Sequence, residues 1–374
     1  MFHFSLLSKS KIIRIDSLFS FFKNIFSPKE KISRLEQLEG MAKADELFQD
    51  LIFTKQIPGL AVTIYRKNEK IFQKGYGYAD LKEKTSVDPK KTVFRTASIS
   101  KCITGLALGK MLEAGILDLE DSFYSHVPYF PQKEHDFTLK QLAGHTAGIR
   151  GYRGKEFALN KPYSIKESLT VFQDDPLVFE PGKGYLYNSF DFVLLSLAMQ
   201  EASGIPFEEY VNNKVLKPLG MNHTIAPQNV GESPLAYNMA QFYTIRAKSF
   251  SKAVEVNNTY KLSGGGFLST SEDIARMGNA ILEGKLLKKE TYDQLLSSQE
   301  VNGTLTYYGM GFQVSIDNEG RSFIGHVGNS VGAYTNFFVY PKEELSIAIL
   351  INCSNPKVQN ELDSVIQQLW ADST

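Results

Sequence analysis

Ser98 and Lys101 stand three apart in the run Phe94-Arg95-Thr96-Ala97-Ser98-Ile99-Ser100-Lys101. On a helix that spacing puts a hydroxyl and an amine on one face of the first turn, where backbone N–H groups have no helical partner. A hydroxyl, an amine and free N–H donors at one spot are the ingredients of acyl transfer. A serine hydroxyl is still a poor nucleophile at neutral pH and needs a base and a site for the oxyanion. Ser-x-x-Lys alone also describes an N-capping serine beside a solvated lysine. Support has to come from elsewhere in the chain.

Two further stretches supply it. Pro181-Gly182 turns the chain into Tyr187-Asn188-Ser189, which opens a long apolar segment. A tyrosine there can share a proton with Lys101, each lowering the other's pKa through hydrogen bonding and charge proximity. With 18 tyrosines in the chain, a core aromatic is the competing reading for any one of them. The second stretch is Phe323-Ile324-Gly325-His326-Val327-Gly328-Asn329. A strand ending in His-Val-Gly exposes the His326 imidazole and leaves room beside Gly328 for a substrate backbone. The N–H of Asn329 can then donate to an oxyanion together with that of Ser98. His3, His126, His135 and His223 read as structural.

Together the three stretches resemble the serine beta-lactamase and penicillin-binding-protein superfamily, marked by Ser-x-x-Lys, a tyrosine triplet and a Lys/His-Thr-Gly strand. The likeness is greater to the class C beta-lactamase-related hydrolases, and among them to the branch of the mitochondrial serine beta-lactamase-like protein of animals. It rests also on His145-Thr146-Ala147-Gly148-Ile149-Arg150 and on Gly264-Gly265-Gly266-Phe267-Leu268-Ser269-Thr270, in order along most of the chain. The resemblance implies a beta-lactamase/transpeptidase-like α+β fold. It implies Ser98 as the acylated nucleophile, Lys101 and Tyr187 as its proton-transfer partners, and Ser189 as a polar neighbour. His326 takes the place of the strand lysine or histidine, Gly264 to Gly266 lie near the site, and His145-Thr146 belongs to a loop at the cleft.

Two positions depart from the pattern. Val327 stands where a threonine usually offers a hydroxyl to a substrate carboxylate, and Ser189 where an asparagine commonly binds an acylamido group. Each missing hydrogen bond is worth roughly 0.5–1.5 kcal/mol. Both argue against an efficient beta-lactamase and leave the acylation residues in place.

The elements that must position these residues follow from periodicity. Ile99, Cys102, Ile103, Leu106, Leu108, Met111 and Leu112 recur at helical spacing over 94–113, and a helix this apolar belongs inside a fold. Gly105 and Gly109, one turn apart, let another backbone come close. Gly115 is a C-cap. Residues 35–56 read as a helix, and 60–65 and 71–78 as a hairpin. Residues 138–142, 189–203, 207–216 and 271–282 read as helical, 309–316, 322–326, 334–340 and 345–351 as strands, and 359–370 as a closing helix. Strands at both ends around a helical middle predict one antiparallel sheet built from both chain ends. The expected sheet part is 36–120 with 306–374, carrying a helical part over 121–305, with a cleft between them.

Residues 1–35 differ from the rest: basic, with Leu18, Phe19, Phe22, Ile25 and Phe26 on one helical face. That face suits a membrane surface or a presequence, and a frayed extension is the plainer alternative. No clear signal peptide or run of about 20 apolar residues is present; the lean is to a membrane-associated or extracytoplasmic protein. Lys+Arg and Asp+Glu are both 41 in 374 residues, which lacks the basic excess of a nucleic-acid binder. Cys102 and Cys353 fall in apolar runs and read as small core residues.

The expected function is that of a serine hydrolase acting on an ester, amide or peptide bond of a small-molecule or peptide substrate. No metal or organic cofactor is expected. The alternatives are a catalytically weak binding or scaffold member of the fold, and a true beta-lactamase or DD-carboxypeptidase.

Overall fold

The computed structural model describes residues 35–229, 238–246 and 249–370. The amphipathic face expected within residues 1–35 lies outside them. The described chain forms two compact units. One runs from Ile52 to Pro356 and holds the sheet and every candidate site residue. The other combines the chain up to Leu51 with the chain from Lys357. Helix α1, Gly40–Phe53, buries Ala44, Phe48 and Leu51 along one face. The closing helix, Gln359–Gln368, buries Leu362, Val365 and Ile366 on one face, as its spacing requires.

The sheet of the larger unit has seven strands. In chain order these are β1 Gly59–Arg66, β2 Glu69–Asp80, β3 Thr85–Ser86, and, after β4 Thr92–Arg95 and β5 Leu268–Ser269, which lie outside it, β6 Gln313–Ile316, β7 Ser322–Ser330, β8 Ala333–Tyr340 and β9 Leu345–Ile351. Their spatial order is β6-β7-β8-β9-β1-β2-β3 and every pairing is antiparallel. The first and last stretches of sequence therefore meet at β1 and β9, with Leu60 opposite Ile351. β1 and β2 join through Lys67 and Asn68, both at positive φ, the tight turn that matches strand twist.

β8 and β9 are buried at every position and are mostly apolar, with Thr335, Asn336 and Ser346 as buried polar residues among them. Helix Ser271–Leu282 covers one face: a Cβ on Gly278 would meet Phe337, Val339 and Ser346, and Ser346 Oγ donates to the Ala275 carbonyl at 3.0 Å. The expected mixed architecture is thus observed. The middle of the chain is largely helix and loop, but it also holds short strands at Tyr243–Arg246, Ser249–Lys252 and Leu268–Ser269.

Helix α2, Ser100–Glu113, is buried on all sides from Ser100 through Gly109. Gly105 is needed for a close approach: a Cβ there would lie 2.5 Å from the Met310 carbonyl oxygen. At Gly109 the neighbours are the side-chain ends of Leu287 and Leu295. The helix ends at Ala114, with Gly115 following at φ +63°.

Candidate active site

The site begins where β4 stops. β4 pairs with β5, Phe94 opposite Ser269 and Arg95 opposite Leu268. Ala97 then takes φ +48°, a region a non-glycine residue enters at a cost of roughly 1–2 kcal/mol. A 3-10 turn, Ala97–Ile99, leads into α2. Hydroxyls fix this bend. Thr96 Oγ1 donates to the Phe267 carbonyl at 2.8 Å and lies 2.9 Å from Ser100 Oγ, which accepts from the Phe267 N–H at 3.1 Å. Thr335 Oγ1 on β8 donates to the Thr96 carbonyl at 3.0 Å. No side chain caps the turn, so Ser98 is not an N-cap.

Ser98 Oγ accepts from Tyr187 Oη at 2.7 Å and from Lys101 Nζ at 3.4 Å. Lys101 is wholly buried, not solvated. Its Nζ also donates to the Gly264 carbonyl at 2.6 Å and lies 4.7 Å from the Tyr187 ring centre. Burial disfavours the ammonium and lowers its pKa to about 7. Tyr187 does not show the lowered pKa expected from the lysine. Removal of its hydroxyl from water pushes the pKa up, and the hydrogen bond with Ser98 offsets this only in part. The lysine's pKa is lowered by burial and not by the tyrosine, so the expected mutual lowering is found for neither group.

Gly328 lies against the nucleophile: a Cβ there would be 2.3 Å from Thr335 Oγ1 and 3.0 Å from the Ser98 nitrogen. Val327 N–H donates to Gln313 Oε1 at 2.9 Å. N–H direction alternates along a strand, so the Asn329 N–H faces the same edge, past the last β7 residue paired with β6. Asn329 lines the cleft, and its Oδ1 accepts from the Asn355 N–H at 3.1 Å.

His326 is not exposed. β7 continues past it to Ser330, paired with β8 throughout, and the imidazole turns into the core with 1% of its surface accessible. Its Nδ1 lies 2.7 Å from the Val327 carbonyl, which can only accept; Nε2 therefore accepts from the Tyr308 hydroxyl at 3.2 Å. Burial and the Lys101 charge lower its pKa to about 3, so it is neutral. The strand reads as exposed in sequence because its true length is set by pairing with β8.

Helix α3, Phe190–Ser203, brings Tyr187 and Ser189 to the site. Asn188 Oδ1 accepts from the Asp191 N–H at 2.8 Å, and its Nδ2 donates to Asp191 Oδ2 and to the Ile149 and Leu186 carbonyls. Asp191 Oδ2 is 2.7 Å from His145 Nδ1, and both groups are buried. Burial pushes the carboxyl pKa up and the imidazole pKa down, favouring neutral forms. The His145 ring packs edge-on against Tyr187 at 4.7 Å between centres. Asn188, Asp191 and Tyr308 were not singled out from sequence. Asp191 three residues after Asn188, at the start of an apolar helix, was the available signal for the first pair; nothing local marked Tyr308.

Ser98, Tyr187, Ser189 and Asn329 line a cleft of about 650 Å³ with Gly264, Gly265, Lys261 and an apolar rim of Tyr152, Phe157 and Val254. Arg150 holds the wall carrying Tyr152 and Phe157. It donates to Glu156 at 2.7 and 3.1 Å and to Asp175 at 2.7 Å. Lys101, Tyr187, Gly328 and Asn329 thus gather around Ser98, while His326 stands behind Tyr308. Among the described residues no cluster of His, Cys, Asp and Glu has the geometry to hold a metal ion.

The beta-lactamase family model matches residues 44–369. The serine beta-lactamase-like protein LACTB, mitochondrial, of Homo sapiens is 29% identical, over 81% of this chain and 73% of its own. The octameric penicillin-binding protein homologue from Pyrococcus abyssi shares the fold with a TM-score of 0.74 at 24% identity, over 84% of this chain and 74% of that one. The D-amino acid amidase from Ochrobactrum anthropi SV3 shares it with a TM-score of 0.77 at 17% identity, over 88% and 99%. The chain belongs to the beta-lactamase family.

Proposed function

We propose that this protein is a serine hydrolase that cleaves an ester, amide or peptide bond through an acyl-enzyme on Ser98. The observation that carries the reading is the convergence on one hydroxyl: Ser98 Oγ has Tyr187 Oη at 2.7 Å and Lys101 Nζ at 3.4 Å. With a pKa near 7, a substantial fraction of Lys101 is free amine at neutral pH and able to take the serine proton. Oγ then bonds to the substrate carbonyl carbon, whose oxygen becomes the oxyanion facing the Ser98 and Asn329 N–H groups. Tyr187 keeps its proton at neutral pH and delivers it to the leaving group; the Lys101 ammonium restores it. Water enters by the reverse relay and releases the acyl group. Gly328 serves by absence, since any side chain there would fill the space beside the Ser98 nitrogen.

The test is turnover of a p-nitrophenyl ester by the purified chain and by Ser98→Ala, Lys101→Met and Tyr187→Phe. The reading expects kcat to fall about 10²-fold or more in each variant. Variants that turn over ester as fast as the parent would remove those roles.

A further inference from the structure

One charged side chain in the cleft has no task in this chemistry. Lys261 lines the cavity beside Gly264 and Ser189, yet only 7% of its surface is accessible. Its Nζ donates to the Phe157 carbonyl at 2.6 Å and sits over the Tyr152 and Tyr260 rings at 5.3 and 5.7 Å from their centres. No carboxylate pairs with it among the described residues. Glu156, next in sequence to Phe157, is engaged by both terminal nitrogens of Arg150. Burial, and after it the neighbouring cation Arg95, lower the Lys261 pKa to about 8. Arg95 is also without an acid among the described residues: its Nη1 donates to the Val331 carbonyl at 2.6 Å, and it stacks on Phe242.

A buried ammonium with no anion is unfavourable unless an anion arrives. A lysine meant only to fill space over two tyrosines would not need a charge. A lysine at the wall of the cleft that Ser98 also lines, short of a counter-ion among the described residues, is arranged for a ligand that supplies one. The apolar rim of Phe157, 48% exposed, and Val254, 59% exposed, suits an apolar body attached to that anion.

We propose that Lys261 is a specificity residue of this cleft and binds a carboxylate of the substrate, so that the hydrolase acts on acyl compounds bearing a free carboxylate and an apolar body. This rests on the serine hydrolase reading above for its chemistry, though not for its binding. Lys261 touches no reacting atom; it sets which substrate stays.

Two matched ester pairs test it. One carries the charge on the acyl side, p-nitrophenyl hemiglutarate against p-nitrophenyl valerate. The other carries it on the leaving group, 4-carboxyphenyl acetate against phenyl acetate. The parent should favour the anionic member of at least one pair in kcat/KM. Lys261→Met should cut that preference at least tenfold, mostly through KM, and Lys261→Arg should retain part of it. A parent with no preference for either anionic ester, or an equal loss on both members in Lys261→Met, would overturn the proposal. Calorimetric binding of glutarate monophenyl ester to Ser98→Ala, with the neutral amide as control, separates the two readings. Tight, Lys261-dependent binding without turnover in the parent would leave the carboxylate site standing and remove the hydrolase. Absence of binding by Ser98→Ala together with active but charge-indifferent turnover would do the opposite.

Discussion

At the scale of single residues, the chemistry at Ser98 depends on which groups hold protons near neutrality. Lys101 is the group beside Ser98 whose pKa falls to about 7, because burial disfavours its ammonium by more than nearby groups such as Asp191 favour it. Tyr187 is held protonated and His326 neutral by the same desolvation. The free amine is the base, and its fraction grows as pH rises. For a neutral ester, kcat/KM should therefore climb through about pH 7 and level off above it, whereas for an ester bearing a carboxylate it should fall again as Lys261 loses its proton at about pH 8. A neutral-ester profile that is flat or falls between about pH 6 and about pH 8 would exclude Lys101 as the base. Ser98, Lys101 and Tyr187 were legible in the sequence because the chemistry restricts residue type and the Ser-x-x-Lys spacing is local. His326 was legible only as a type. Its burial depends on Tyr308 and on strand pairing with residues 333–340, which no local pattern records.

At the scale of elements, the bend before Ser98 is held by hydroxyls from three directions: Thr96 and Ser100 on the bend itself, and Thr335 from β8. Thr104 Oγ1 adds a tie to the Ser263 carbonyl, and Ser263 Oγ one to the Phe192 carbonyl, so hydrogen bonds link α2, the Gly264 loop and α3. Helix α2 itself is fitted to its surroundings at two glycines with different consequences. An added Cβ at Gly105 meets a backbone oxygen at 2.5 Å, whereas at Gly109 it meets leucine side-chain ends that can turn aside. Gly105→Ala should lower stability in urea by about 1–3 kcal/mol, and Gly109→Ala by less. Equal costs at the two positions would mean that Met310 does not confine the helix. The apolar helix and the paired glycines were readable because full burial leaves an unbroken apolar run. The two-residue strand Leu268–Ser269 that fixes β4 was not, because so short a strand has no period to read.

At the scale of the molecule, the antiparallel sheet closes the chain on itself, β1 against β9, so that β4 and α2 from the N-terminal part and β7 from the C-terminal part meet at one hydroxyl. The strand-rich ends and helical middle were visible in the order of periodicities, since sheets need both faces supplied while the inserted helices carry their own. A cleft was expected from the order of elements, but its walls were not legible, because they come from Tyr152, Lys261 and Asn355, residues far apart in sequence that share no motif. Equal numbers of acidic and basic residues leave no global field to draw in a charged ligand, so selection falls to local groups such as Lys261. All of this presumes that Ser98 is a nucleophile. Intact-protein and peptide mass spectrometry after exposure to a fluorophosphonate tests that directly: the account predicts a single adduct on the peptide carrying Ser98, absent from Ser98→Ala, and an adduct on another residue or an equally labelled Ser98→Ala would contradict it.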